Sequence, residues 1–332
     1  MRSFAQSAAL LLAAGSAVSA SPVAMKKQAV CTEVRDRVPW SELTETEKSD
    51  YIQADLCLMA LPSTSGIEGA VTRWDDLQWP HVVQTITVHN VGAFLPFHRY
   101  YMTLHERLIR DECGYTGRMA YWDEVAEQAE LDTLADSELW STEYFGGNGS
   151  GDDNCVTDGP FANLTLRFNQ DGSPTEKCLT RIFSDRQFAT AAQENIDECN
   201  AIDNYTEAWE CWSRDPHSAG HGGVGGIMSD ATLSPGDPVF YLHHSYLDKL
   251  FWEWQKLDIE NRLTDMGGPN IPAGLQPGRG DYPGTEYTDY FGDGGGNVTT
   301  LNHTLWMTGL AANLTIGDTM DLNGPEMCSE YL

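Results

Sequence analysis

Basic side chains are scarce in this sequence. Lysine and arginine together number 20 against 49 aspartate and glutamate residues, so the formal net charge of the 332 residues is −29. A surface of this charge repels the phosphates of nucleic acids and the anionic head groups of membranes. The composition therefore argues against nucleic-acid and membrane partners, whereas small neutral or cationic molecules remain possible ligands.

Long hydrophobic runs are missing beyond the N-terminus. Residues 1–20 carry Arg2, an apolar stretch and a small-residue end at Ala20, the pattern of a secretory signal peptide. The apolar stretch is too short to span a bilayer. Lys26 and Lys27 form a candidate propeptide cleavage site. We therefore expect a secreted protein whose single mature domain covers residues 28–332.

Cysteine, by contrast, is well represented. An even number of cysteines, eight, indicates disulfides in an exported protein. The sequence leaves the pairing open. One arrangement that it permits is Cys31–Cys328, Cys57–Cys113, Cys155–Cys178 and Cys199–Cys211. Acceptor sites for N-glycans, which also fit secretion, stand at Asn148, Asn163, Asn204, Asn297, Asn302 and Asn313.

Residues 237–254, DPVFYLHHSYLDKLFWEW, predict a buried helix. Asp237 is a good N-cap, and Pro238 suits the first helical position. Apolar residues repeat at spacings of three and four on one face, with a second apolar row beside it. The residues left for an outward side are Ser245, Asp248, Lys249, Trp252 and Glu253. The two adjacent histidines therefore lie where polar groups need partners.

Eight of the nine histidines fall within residues 81–105 and 217–244. His217 and His221 are four residues apart, which places both rings on one face of a helix and suits two ligands of one metal. Imidazoles without neighbouring thiolates suit copper or zinc. Ser218 stands where the HExxH motif of zinc hydrolases has glutamate, so that motif is absent. Two histidine clusters in one chain indicate a binuclear site.

These motifs resemble those of the type-3 copper proteins, which include tyrosinases, catechol oxidases and haemocyanins. The segment HNVGAFLPFHRYY, beginning at His89, is similar to the first copper motif of the family. The segment HSAGHGGVGGIMSDATLSPGDPVFYLHHSYLD, beginning at His217, is similar to the second. YWDE at 121–124, GPF at 159–161 and CLTR at 178–181 lie between them. The sequence is most similar to short secreted fungal polyphenol oxidases, over roughly residues 35–255.

The resemblance implies a mainly α fold, in which a four-helix-bundle core holds a binuclear copper site and is wrapped by long loops and a few short strands. It implies two copper ions. Their implied ligands are His81, His89 and His98 for one ion and His217, His221 and His244 for the other. His244 is preferred to His243 because it stands seven residues after Asp237, and we expect His243 to point about 100° away.

Two further histidines are expected to be structural. His105 stands where the family usually has phenylalanine, so we expect a hydrogen-bonded core residue. His303 lies within a glycan acceptor site, which favours the surface. Thr87 replaces the cysteine that crosslinks to a ligand in many fungal tyrosinases, so no thioether is expected.

The resemblance also implies pocket residues. Ser218 stands where the family often has an asparagine that positions a water, and Gly222 is expected to leave space above a copper. Ala231 or Thr232 takes the place of a bulky gate residue, which implies an open pocket. Asp248 is expected either to orient a ligand imidazole or to form an ion pair with Arg99 or another base, and the sequence does not decide between these.

The implied activity is oxidation of o-diphenols to o-quinones, with reduction of O2 to water and weak or variable activity on monophenols. The alternative is a true tyrosinase with substantial monophenol hydroxylation. An oxygen-binding protein and a zinc protein are the remaining hypotheses. Only about 75 residues follow the last motif, so we expect no C-terminal lid domain.

Overall fold

The computed structural model of the chain describes Cys31 and residues 34–270 and 297–332. The expected signal peptide and propeptide, within residues 1–27, lie outside the described residues. In the described part of the chain, no helix is both long enough and apolar enough to cross a membrane.

Helices dominate this part of the chain, and its strands are few and short, so the predicted mainly α fold is confirmed. The helices are α1 (Glu45–Ala60), α2 (Arg73–Val88), α3 (Phe94–Cys113), α4 (Glu124–Glu130), α5 (Asp185–Phe188), α6 (Gln193–Asn200), α7 (Tyr205–Ser213), α8 (Asp215–Val224), α9 (Val239–Lys256), α10 (Ile259–Arg262) and α11 (Ile316–Thr319). The strands are β1 (Arg35–Pro39), β2 (Met119–Tyr121), β3 (Thr165–Phe168), β4 (Pro174–Cys178), β5 (Thr304–Leu305), β6 (Leu314–Thr315) and β7 (Ser329–Tyr331).

Capping side chains set where the first two helices begin. The Thr44 hydroxyl accepts from the backbone N–H of Glu47, whose carboxylate accepts in return from the N–H of Thr44. Thr72 and Asp75 form the same reciprocal pair at the start of α2. Both pairs satisfy amide groups that have no partner within the helix.

The helices α2, α3, α8 and α9 surround the histidines. α3 packs along α9, while α8 packs against α9 and α2 against α3. α9 begins one residue later than expected, because Pro238 occupies the cap position. Asp237 still contributes there, since its Oδ1 accepts from the N–H of Val239 at 3.1 Å.

The predicted outward side of α9 is wrong for three residues. Ser245, Asp248 and Trp252 are all buried. They are covered because β2 and the C-terminal segment pack on that side of the helix. The Trp252 indole N–H, for example, donates to Glu330 at 2.9 Å.

A parallel sheet in the order β2–β1–β7 joins the two ends of the chain beside α3 and α9. From this sheet, the buried Arg37 reaches Asp248 at 3.3 Å. Asp248 also binds Arg99 at 2.5 Å and accepts from the Tyr331 hydroxyl at 2.8 Å. Both Asp248 oxygens are thus occupied by an ion-pair network. Of its two expected roles, the structure shows the ion pair with Arg99.

Four disulfides close the fold. They are Cys31–Cys328, Cys57–Cys113, Cys155–Cys178 and Cys199–Cys211, so the arrangement that the sequence permitted is the one that the structure shows. The first ties the ends of the chain together next to the parallel sheet, because Arg35 of β1 donates its N–H to Cys328.

Candidate metal centre

Three histidines converge where α2 turns into α3. His81 lies on α2, His89 caps its C-terminus and His98 lies on α3. The turn between the helices passes through Gly92, where a Cβ atom would lie 1.9 Å from the carbonyl oxygen of Gly267. One ligand-capable nitrogen from each imidazole lies within 4.8 Å of the others. We call these residues the first histidine group.

Four histidines converge between α8 and α9. His217 and His221 lie one turn apart on α8, while His243 and His244 are adjacent on α9. Their ligand-capable nitrogens also lie within 4.8 Å of one another. We call these four residues the second histidine group. His243 was not among the implied ligands, so the group has one more member than the sequence implied.

Hydrogen bonds to backbone carbonyls fix the orientation of five rings. The Nδ1 contacts are His81–Thr232 at 3.0 Å, His89–Thr85 at 2.8 Å, His98–Phe94 at 2.8 Å, His217–Ser213 at 3.2 Å and His221–Met228 at 2.6 Å. A carbonyl can only accept, so each Nδ1 carries the hydrogen and each Nε2 of a neutral ring presents a lone pair. The Nε2 atoms of His81, His98 and His217 are buried, with no partner among the described residues. This is how metal-binding histidines present a nitrogen.

His244 is held differently. Its Nε2 lies 3.1 Å from the Nε2 of His221, and its Nδ1 is buried with no partner among the described residues. Since His221 Nε2 presents a lone pair, the short contact requires a shared proton or a cation between the two rings. A metal ion bound by both nitrogens satisfies this requirement.

The two groups form one centre. The rings of His98 and His244 stack with their centroids 4.2 Å apart. Phe94 lies between the groups, 4.8 Å from the ring of His98 and 4.9 Å from that of His217. Phe240 packs against the His244 ring at 4.2 Å. Apolar side chains thus pack against the imidazoles where the two groups meet.

Burial keeps the imidazoles neutral. It lowers the pKa of His89 to about 4, and it holds the pKa values of His98 and His217 well below the ordinary range, with further lowering by neighbouring imidazoles. The neutral ring is the form that binds a metal. Two sets of neutral imidazoles, without thiolate among them, fit copper.

A pocket of about 350 Å³ opens beside the second group. Its lining residues are His89, Gln187, His217, Ser218, His221, Gly222, Met228, Ser229, Ala231 and Ser234. Ser218 and Ala231 lie at the exposed rim. Three of the four implied pocket residues therefore line it. Thr232 is not among these lining residues, and its carbonyl instead accepts from His81.

Gly222 does not leave the expected open space. A Cβ atom there would lie 2.1 Å from Oε1 of Gln187, because the side chain of this α5 residue covers the glycine. The sequence offered no signal for Gln187, which follows the CLTR segment and matches no motif. The pocket is open at Ala231 but is narrowed by an amide beside Ser218 and Gly222.

Comparison with known proteins places this centre in a family. Residues 71–257 match the model of the common central domain of tyrosinase, a segment that includes every histidine of both groups. The chain belongs to the tyrosinase family. It is thus a type-3 copper protein and an oxidoreductase.

Individual relatives agree with the family. The chain is 30% identical over 316 residues to Tyrosinase ustQ of Aspergillus flavus, covering 91% of this chain and 80% of the relative. It is 27% identical over 350 residues to N-acetyl-6-hydroxytryptophan oxidase ivoB of Emericella nidulans, covering 89% of this chain and 91% of the relative. A polyphenol oxidase variant (G292N) from Thermothelomyces thermophila has a similar structure, with a TM-score of 0.77, 25% identity and coverage of 90% and 89%.

Two histidines lie outside the tyrosinase-family centre. His105 is a core residue as expected: its Nε2 lies 2.7 Å from Asp55, and its ring stacks on Tyr241 at 4.2 Å. His303 is buried, with 3% exposure, so the surface expectation is wrong. The adjacent Asn302 remains exposed, which shows that the acceptor site predicted the exposure of its asparagine only.

Proposed function

We propose that this protein is a type-3 copper polyphenol oxidase that converts o-diphenols to o-quinones. Two copper ions would be held by His81, His89 and His98 and by His217, His221 and His244. The observation that carries the proposal is the pair of adjoining groups of neutral imidazoles, buried or partly buried, beside an open pocket. Bound copper would supply electron transfer from the diphenol to O2, so that two diphenols lose four electrons and four protons and O2 becomes two waters.

The chain's own residues prepare the centre for this chemistry. Backbone carbonyls such as those of Thr85 and Phe94 hold the rings with Nε2 directed to the ion. Phe94 and Phe240 exclude water from the space between the rings. Rings that are held in fixed orientations need little reorganisation when charge moves during the reaction.

The pocket favours a diphenol over a monophenol. Ala231 leaves the entrance free of a bulky side chain, so a substituted ring can enter. A monophenol must first lose a proton, and a base acts best within hydrogen-bond reach. The Ser218 hydroxyl orients a water less firmly than the planar amide of asparagine would. Slow monophenol activity is therefore expected. The name of the similar ivoB protein, a hydroxytryptophan oxidase, supports hydroxylated aromatics as the substrate class.

A matched substrate pair tests the proposal. Purified protein would be loaded with copper, analysed for metal and incubated with 4-methylcatechol or 4-methylphenol while quinone absorbance is followed. We expect two coppers per chain, rapid quinone formation from the catechol and slow formation from the phenol. Comparable rates would favour the true tyrosinase. Reversible O2 binding without quinone would favour an oxygen carrier, and retention of zinc without quinone a zinc protein.

We also propose that the protein is secreted and carries N-glycans. All six acceptor asparagines are exposed, and the cysteines form disulfides that persist in oxidising compartments. Expression in a fungal host should place the protein in the medium, with its mass reduced by enzymatic deglycosylation. Retention in the cell without glycans would contradict this.

A further inference from the structure

A buried carboxyl group lies directly behind the second histidine group. Glu124 is the first residue of α4, and its Oε1 makes a short hydrogen bond with Nδ1 of His243. Both side chains are completely buried. Fully buried carboxyl groups are rare in folded proteins because burial is costly unless a partner compensates for it. No sequence motif assigned a role to either residue, so the pair requires an explanation.

Three contacts hold Glu124 in this place. The backbone N–H of Trp122 donates to the carbonyl of Leu242 at 3.2 Å, which ties the end of β2 to α9 next to His243. The N–H of Glu124 donates to the Trp122 carbonyl at 2.9 Å. Asp123 caps α4 by accepting from the N–H of Ala126 at 3.3 Å. The position of the carboxyl group is therefore set by the backbone of two elements.

The pair also fixes how closely α8 can approach. Gly220 lies on α8 between His217 and His221, and a Cβ atom there would lie 2.2 Å from His243 Nδ1 and 2.7 Å from Glu124 Oε1. Only glycine permits this contact without displacing the pair. The ring of His243 lies 5.6 Å from that of His217 and 4.6 Å from that of His221. It thus packs against both histidines of α8.

Among residues 34–270 and 297–332, no carboxyl group supports the first histidine group in this way. The Nδ1 atoms of its three imidazoles all donate to backbone carbonyls. In the second group, His217 and His221 do so, while His244 has no carbonyl partner among the described residues. His243 is adjacent to His244 in sequence, and its ring lies 4.9 Å away. The side-chain pair takes the place that backbone bonds occupy in the first group.

We propose that Glu124, acting through His243, positions His217, His221 and His244 as the ligands of the second copper. Glu124 and His243 are positioning residues: the hydrogen bond between them holds the His243 ring as a spacer against α8 and His244. Loss of such outer-shell partners typically lowers metal affinity by 10- to 100-fold. The proposal rests on the function proposed above, and it predicts that this loss falls on one of the two coppers.

The experiment follows the release of each copper. Copper-loaded wild type and the Glu124→Gln variant would be exposed to a chelator, with copper per chain and the absorbance band after addition of peroxide recorded over time. We expect one copper of the variant to leave at least tenfold faster than in the wild type, with loss of the band, while the other leaves at the wild-type rate. Glutamine preserves the size of the side chain, so folding should survive, but its amide forms a weaker hydrogen bond with an imidazole than a carboxyl group does.

A matched control lies on the same helix. Glu127 is also a largely buried acid of α4, but it bonds Trp122 at 2.6 Å and Ser137 at 2.9 Å instead of a histidine. Glu127→Gln should leave both release rates unchanged.

If Glu124 acts through His243, the double variant Glu124→Gln/His243→Gln should release copper no faster than His243→Gln alone. A further increase in the double variant would overturn this route.

Other outcomes also decide the matter. Equal acceleration of both coppers in Glu124→Gln, or of either copper in Glu127→Gln, would show general destabilisation and overturn the proposal. Unchanged release in Glu124→Gln would overturn it as well. The independent variant Gly220→Ala should accelerate release of the same copper as Glu124→Gln. If wild type itself binds no copper, the proposed function fails; if wild type binds two and the variants behave like it, only this inference fails.

Discussion

The two histidine groups reach a similar arrangement by different means. The first group is held by the backbone: each Nδ1 donates to a carbonyl, and the turn at Gly92 closes against Gly267. In the second group, His217 and His221 also donate to carbonyls, but a buried glutamate, an additional histidine and a glycine of α8 pack together beside them and His244. The pocket that contains the implied substrate residues Ser218 and Ala231 is lined by His217 and His221 of the second group and by His89 of the first.

The two kinds of support should respond differently to amino-acid substitutions. Backbone support resists most substitutions, so the first group should fail only when a ligand or the turn itself is changed. Support by side chains can be changed residue by residue, and the second group should therefore tolerate graded adjustment. Most of the histidines that line the pocket belong to the second group, so substitutions in the support of this group should also change the geometry of the pocket.

The largest effect should follow removal of a ligand. His244→Ala should lose one copper and nearly all oxidase activity, because a copper held by two imidazoles is weakly bound. His243→Ala should still hold two coppers when copper is in excess, since His243 supports the group without being a proposed ligand. Metal analysis and catechol oxidation measure both. Retention of copper in the first variant and its loss in the second would reverse the assignment.

The next effect concerns the turn of the first group. In Gly92→Ala, the new methyl group would lie 1.9 Å from a backbone oxygen, so the chain around His89 must move. We expect loss of one copper, with a chelator-release rate for the other close to wild type. Gly147→Ala is the control, because the nearest atom to its Cβ would lie at an ordinary 3.4 Å. Full retention of both coppers in Gly92→Ala would show that the turn does not hold the group.

Acid sensitivity of the metal-free protein tests the first group in another way. Burial lowers the pKa of His89 to about 4 from an ordinary value of 6.5, so between these values the unfolded chain binds a proton that the folded chain does not. The contribution of neutral His89 to the free energy of unfolding is complete above pH 6.5 and is lost as the pH falls towards 4.

The variant His89→Asn should therefore lose less stability than wild type between pH 7 and pH 4. Each pKa unit corresponds to about 1.4 kcal/mol, and His89 is partly exposed, so we expect a difference of roughly 2 kcal/mol. Chemical denaturation of both metal-free proteins at the two pH values measures it. Parallel pH dependences in the two proteins would contradict the burial argument.

The smallest effect concerns the rim of the pocket. Ser218→Asn should raise the monophenol rate more than the diphenol rate, by up to roughly one to two kcal/mol of barrier, the scale of one hydrogen bond. The amide of Gln187 borders the same space, so Gln187→Ala provides a comparison. An equal change in both rates, or none, would exclude Ser218 as the control point and leave the gate at Ala231 as the better candidate.

The sequence predicted the elements that periodicity and motifs specify. The helix holding His243 and His244 and the capped helix α1 could be recognised from apolar spacing and capping residues. The convergence of His81, His89 and His98 and of His217, His221 and His244 was implied by a family resemblance. Spacing alone could not have distinguished His244 from His243, because both lie in apolar rows.

The remaining features depend on contacts distant in sequence. Helix periodicity placed Asp248 on the outward side of α9, but in the structure Arg37 of β1 and Tyr331 of β7 contact its carboxylate. Gln187 covers Gly222 because α5 packs on α8, a contact that no local pattern reveals. Burial of His303 likewise follows from tertiary packing, whereas its glycan acceptor site is a property of a tripeptide.

We propose that both histidine groups must hold copper before the enzyme can act. The most direct measurement is a titration of metal-free protein with copper, with catechol oxidation recorded against copper bound per chain. Activity should lag behind binding and reach its maximum only at two coppers per chain. Full activity at one copper per chain, or no quinone at two, would contradict it.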